Sequence, residues 1–130
     1  MKQFDWRKNN NVGIHLMNFS SNEEYQRSAI NRFYYSCFGP AKKYYEQAFR
    51  RILPSDNAHS ILIEELINSP FFEEQQLGLK FKHLRRLRNR ADYNSKSQSF
   101  SVKSSQKVVN EIFLIIDRLQ NHPIRLLKNS

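Results

Sequence analysis

Between Glu23 and about Arg51, apolar residues recur at helical spacing. Tyr25, Ala29, Phe33 and Cys37 make one stripe, and Ile30, Tyr34, Cys37 and Ala41 make its neighbour. Two adjacent stripes describe a helix buried on more than one side, the central element of a bundle. Gly39-Pro40 lies inside it, and proline removes a hydrogen bond and clashes with the preceding turn, so a kink or a break is expected there. Ser20 or Ser21 stands ready to cap the start, with Glu23 and Glu24 at the positive end of the helix dipole.

The pattern before this helix is weaker. Phe4, Trp6, Val12, Ile14, Leu16 and Met17 are apolar, but Asn9, Asn10, Asn11 and Gly13 argue for a short or interrupted helix. After a turn at Pro54-Ser55-Asp56, a third helix is expected from His59 to Asn68, carrying Ile61, Leu62, Leu66 and Ile67. A fourth runs from about Glu73 to Tyr93 on the stripe Leu77, Phe81, Leu84, Leu87 and Ala91. The Ser-rich segment Asn94 to Ser105 reads as a loop. The last helix spans about Ser104 to Gln120, and Pro123 ends it ahead of a basic tail over 121–130. The expected architecture is all-α, a bundle of four to five helices in one domain over residues 1–130.

Composition agrees with this. Three Gly and four Pro in 130 residues are too few for a fold of short strands and tight turns. Cys37, the single cysteine, excludes an internal disulfide and reads as a small buried apolar residue. No apolar run approaches the length of a membrane span, and the N-terminus lacks the apolar core of a signal peptide, so a cytoplasmic protein is expected. The net charge of +9 raises the local concentration of phosphate and fits a nucleic-acid, nucleotide or acidic-protein partner.

That charge concentrates in "KFKHLRRLRNRADYN", Lys80 to Asn94, where six Lys or Arg precede the first acid. On a helix, Lys82, Arg86 and Arg90 stand at i, i+4 steps and form an outward ridge whose like charges repel one another unless an anion answers them. Arg85, Arg88 and Asp92 share a second face beside the apolar stripe. Arg32, set between the stripes of the central helix, is expected to be largely buried and to need a partner, for which Asp92 is available.

Several chemistries are absent. No glycine-rich phosphate loop occurs, the histidines lie far apart, and no Cys/His pair has metal spacing, so no metal or cofactor is expected. The pairs Glu23–Glu24, Glu64–Glu65 and Glu73–Glu74 suit helix starts and surface turns better than acid–base work.

Two stretches in this order, "RSAINRFYYSCFGPAKKYYE" (Arg27 to Glu46) and "LRRLRNRADYN" (Leu84 to Asn94), resemble the HEPN superfamily. The first is similar to its early helix with a Tyr-Tyr pair, the second to its late Arg-Asn…Asp-Tyr segment. The resemblance implies an up-and-down helical bundle, usually a homodimer. It also implies an origin among toxin–antitoxin, phage-defence and RNA-guided immunity proteins, many of them metal-independent endoribonucleases. Their motif is R-x4–6-H, often with a polar residue after the Arg. Arg88 matches the Arg and Asn89 the polar residue, but Tyr93 stands where a histidine is expected.

The departure matters chemically. Cleavage of RNA by its own 2′-OH needs a base, an acid and a cation for the phosphorane charge. Arg88 can supply the cation, whereas a tyrosine of ordinary pKa near 10 is a poor base at neutral pH. His83 points away from Arg88 around the helix, and His59, near a helix start, reads as a structural or capping residue. Three functions therefore stand open. The first is a HEPN-like module that binds RNA or nucleotide through Lys82, Arg86 and Arg90 with weak or no catalysis. The second is a ribonuclease toxin using Arg88, Asn89 and Tyr93. The third is a structural subunit for an acidic protein encoded nearby. In each, Arg32, Arg85 and Asp92 form an inward polar cluster or dimer seam.

Overall fold

The computed structural model describes residues 8–19, 22–93 and 98–125; for residues 23, 91–93 and 98–101 it describes the backbone alone. Five helices follow one another: α1 (Lys8–Phe19), α2 (Glu23–Phe49), α3 (Ala58–Ile67), α4 (Phe72–Tyr93) and α5 (Gln98–Asn121). They form an all-α bundle in which α2 is central, packing on α1, α4 and α5, while α4 also packs on α3 and α5. The apolar stripes account for the core. Ala29, Ile30, Phe33, Tyr34, Cys37 and Ala41 of α2 meet Leu77, Phe81, Leu84 and Leu87 of α4 and Val108, Ile112, Ile116 and Leu119 of α5 in one buried cluster. Tyr25, the first residue of its stripe, lies near the end of α2 and is exposed.

Four details settle or correct the pattern's expectation. The helix α2 continues through Pro40, so of the two outcomes open there the break does not occur. Pro40 brings no N–H to the Ser36 carbonyl, but the apolar residues on either side remain in register with the core. The cap of α2 is Asn22, whose side chain accepts from the Glu24 backbone N–H at 3.0 Å, while Ser20 and Ser21 lie outside the described residues. Of the short or interrupted helix expected first, α1 is the short one: twelve residues without a break despite three asparagines, with Ile14, Leu16 and Met17 packed against the core. Gly13 is required there: a Cβ at this position would stand 2.8 Å from the Phe33 ring, so only glycine lets α1 lie this close to α2. Finally, α5 begins at Gln98, well inside the segment read as a loop. Val102 and Ser105 are buried, so the second turn of α5 already faces the core.

Gly78 makes a second close approach, between α3 and α4. A Cβ at Gly78 would fall 2.8 Å from the Ile67 backbone nitrogen and 2.9 Å from Leu66 Cβ. The two helices that carry the basic run and the residues facing it are thus held closer than any side chain permits.

Candidate polyanion site on helices 3 and 4

The α4 stripe of Leu77, Phe81, Leu84 and Leu87 faces the core, which fixes where the intervening cations point. Lys80 turns to α5 and pairs with Glu111. Lys82, Arg85 and Arg86 turn toward α3 and line a groove of about 540 Å³, together with Asn89 and with Ser60, Glu64 and Asn68. Arg85 donates to Ser60 Oγ at 3.0 Å. Glu64 is the one acid among the lining residues, so three cations share a single carboxylate.

Arg88 leaves this groove and crosses to α2. Its Nε donates to Asn31 Oδ1 at 2.9 Å, and its guanidinium lies 4.7 Å from the Tyr34 ring centroid and 5.2 Å from that of Tyr35. The same two tyrosines hold His59. Its imidazole stacks on Phe38 at 4.0 Å and on Tyr34 at 5.3 Å, and meets the edge of Tyr35 at 6.1 Å. His59 Nδ1 is 2.5 Å from the Tyr34 hydroxyl. Arg88 and His59 therefore share one aromatic floor, brought together from α4 and α3 by α2.

The electrostatics follow from the packing. Burial pushes the Tyr34 phenol up to about 12, and the nearby charges of Arg85 and Arg88 offset only part of that. Tyr34 stays a neutral hydrogen-bonding group. Burial lowers the His59 pKa below the usual imidazole value, and Arg85 and Arg88 lower it further. The ring is consequently neutral at pH 7. Which of Nδ1 and the Tyr34 hydroxyl donates is set by the tautomer; in the form with hydrogen on Nδ1, that nitrogen donates and Nε2 has a lone pair for another proton.

The remaining expected site residues distribute unevenly. Lys82, Arg86, Asn89 and Arg90 are exposed, and Arg90 does not line the groove. Arg32 is exposed rather than buried; its Nη1 donates to Asn9 Oδ1 at 3.4 Å, and its long stem carries the charge out past α1. Arg32 and Arg85 thus bond to α1 and α3 respectively and do not form a common cluster. The side chains of Asp92 and Tyr93 lie outside the described residues. His83 is exposed. His59 is not a cap: α3 begins on Asn57 in the left-handed conformation, without a side-chain capping bond, and the imidazole reaches α2 instead.

Sequence reading gave the Glu73–Glu74 pair to a helix start or a surface turn; the pair does open α4, but Glu74 does not face solvent. It is fully buried, with Arg125 bonded to both carboxylate oxygens at 2.8 Å and the hydroxyls of Tyr44 and Ser69 donating at 2.5 Å each. Arg125 in turn stacks on Phe49 at 4.0 Å. These charges answer one another, so the network fastens the end of the bundle rather than offering a charge to a ligand. Among the described residues no three His, Cys, Asp or Glu side chains gather as metal ligands, and no helix is long and apolar enough to cross a membrane.

Comparison with protein-family models, curated proteins and solved structures finds no match to this chain.

Proposed function

We propose that this chain is a HEPN-like module that binds single-stranded RNA or a nucleotide through the α3–α4 groove. The observation that carries the reading is the convergence of Lys82, Arg85 and Arg86 on one groove with a single acid. Clustered like charges of this kind repel one another until a polyanion neutralises them. Ser60, Asn68 and Asn89 add neutral donors and acceptors at the same surface. The order of the Arg27–Glu46 and Leu84–Asn94 stretches supports the family, and with it a homodimer from a toxin–antitoxin or phage-defence setting.

Binding of a labelled single-stranded RNA then falls steeply with salt, at a slope of roughly 0.7 per phosphate neutralised. The double variant Lys82→Glu/Arg86→Glu should weaken binding by about tenfold or more and flatten that slope. Equal affinity and slope for variant and wild type would remove the groove from the account. Indifference of the wild type to RNA, with co-purification of an acidic protein, would favour the subunit reading instead.

A second reading, metal-independent RNA cleavage, gains support from one specific observation: His59 lies on the same tyrosines as Arg88. Because α3 supplies an imidazole on the tyrosines beside Arg88, where His83 of α4 does not reach, the chain does not need Tyr93 as a base. In this reading a 2′-OH gives its proton to His59 Nε2, and the 2′-oxygen bonds to the adjacent phosphorus. The bond from phosphorus to the 5′-oxygen breaks, and that oxygen takes a proton from water. Arg88 answers the added negative charge on the phosphorane.

A further inference from the structure

The geometry points to a second groove, between α1 and α2, as a stacking site for an unpaired nucleobase of the same RNA strand. It rests on the reading of the α3–α4 groove as a phosphate site.

This groove has a volume of about 970 Å³ and is lined by Asn9, Val12, Tyr25, Asn31, Arg32 and Tyr35 among others. Two of its apolar side chains are open to water, Val12 at 43% and Tyr25 at 37% exposure. Phe19, 64% exposed with its ring 5.2 Å from that of Tyr25, extends the aromatic surface beyond the groove. Exposed rings contribute nothing to the core and leave apolar area in water that a ligand can cover. Alongside the rings stand two carboxamides, Asn9 and Asn31, the Arg32 guanidinium, the Ser28 hydroxyl and one acid, Glu24. A nucleobase has the matching form, a flat face to stack and an edge of donors and acceptors.

Continuity with the phosphate site favours this occupant. Asn31 and Tyr35 line the groove and are also the residues that Arg88 bonds to and lies over. Arg88 therefore stands between cations on one side and rings on the other. A single strand offers that alternation of phosphate and exposed base, whereas a duplex keeps its bases inside. A second copy is a poorer match at this groove, because a two-fold contact there would bring Arg32 toward its own counterpart.

The test compares two probes, a short single-stranded RNA and an abasic ribose–phosphate strand of the same length, by fluorescence anisotropy. Tyr25 is at the surface, so Tyr25→Ala leaves the core intact. It should weaken RNA binding by about fivefold to a hundredfold, the range of one lost base stack, while abasic binding and the salt slope stay unchanged. Tyr25→Phe should retain the RNA affinity. In contrast, Lys82→Glu/Arg86→Glu should weaken both probes. If Tyr25→Ala weakens neither probe, or both equally, the base site is wrong and the phosphate groove stands. A change of oligomeric state on light scattering, with RNA affinity unaltered, would assign the rings to a second copy. A wild type that binds neither probe would overturn both readings.

Discussion

Replacing Glu74 by alanine should lower the melting temperature by roughly 10 °C. Removing one partner of a buried ion pair costs about 3–5 kcal/mol, and Arg125, 27% exposed, places this case at the lower end. For a domain of this size each kcal/mol moves the midpoint by roughly 3–6 °C. The loss arises because Arg125, Tyr44 and Ser69 all direct hydrogen bonds at one carboxylate, and alanine leaves every one unanswered. The pH dependence has a definite sign. Burial alone would raise the Glu74 pKa, but the hydrogen bonds from Arg125, Ser69 and Tyr44 outweigh it and hold the carboxyl below its ordinary value. A carboxyl depressed on folding stabilises the native state above its unfolded pKa, near 4.3, and that contribution fades as pH falls through the folded value. The gap between wild type and Glu74→Ala in a calorimetric melt should therefore be full at pH 7 and narrow below about pH 4. A shift under 2 °C at pH 7, less than roughly 1 kcal/mol on that scale, would show that the network carries little of the fold's stability.

For the cleavage reading, the largest expected effects are at Arg88 and His59. With end-labelled RNA and EDTA present, Arg88→Ala should reduce cleavage about 10²–10³-fold, the range for removing a transition-state charge partner. His59→Gln should reduce it by about 10²–10⁴, the range for a general base. Melting curves within a few degrees of wild type would show that both variants remain folded. The pH profile separates a base from a structural ring. Because burial and the two arginines lower the His59 pKa, the rising limb of the rate should lie below the ordinary imidazole value of about 6.5. Full activity in His59→Gln, or a limb above that value, would exclude His59 as the base. If the wild type does not cleave at all, Arg88 and His59 remain an RNA-contacting surface and the binding reading is sufficient.

What the sequence disclosed follows from distance along the chain. The five helices and the core face of α2 were legible because helical periodicity is local and repeated over many residues. Lys82 and Arg86 were legible as one surface for the same reason, since both lie on one helix at i, i+4. The early part of α5 was not, because serine-rich composition argues for a loop and only tertiary contact buries Val102 and Ser105. For His59, near a helix start as read, the chain left a structural and a capping role open and could not show which neighbours it meets. Its role depends on Phe38 and Tyr34 of α2, which no local spacing connects to it. Glu74 failed more sharply: an acid in the first turn of a helix normally complements the dipole at the surface. Here its partner Arg125 is fifty-one residues away, in a segment that reads as a solvated basic tail.

The central claim is that RNA meets the protein along the α3–α4 groove. The most direct measurement is a ¹H–¹⁵N spectrum recorded while a short single-stranded RNA is added at low salt, a practical experiment for a 15.6 kDa chain. The account predicts progressive shifts at Ser60, Lys82, Arg85, Arg86 and Asn89, which are reversed by added salt. Shifts confined to α5 and the Glu74–Arg125 network, or an unchanged spectrum at saturating RNA, would contradict it.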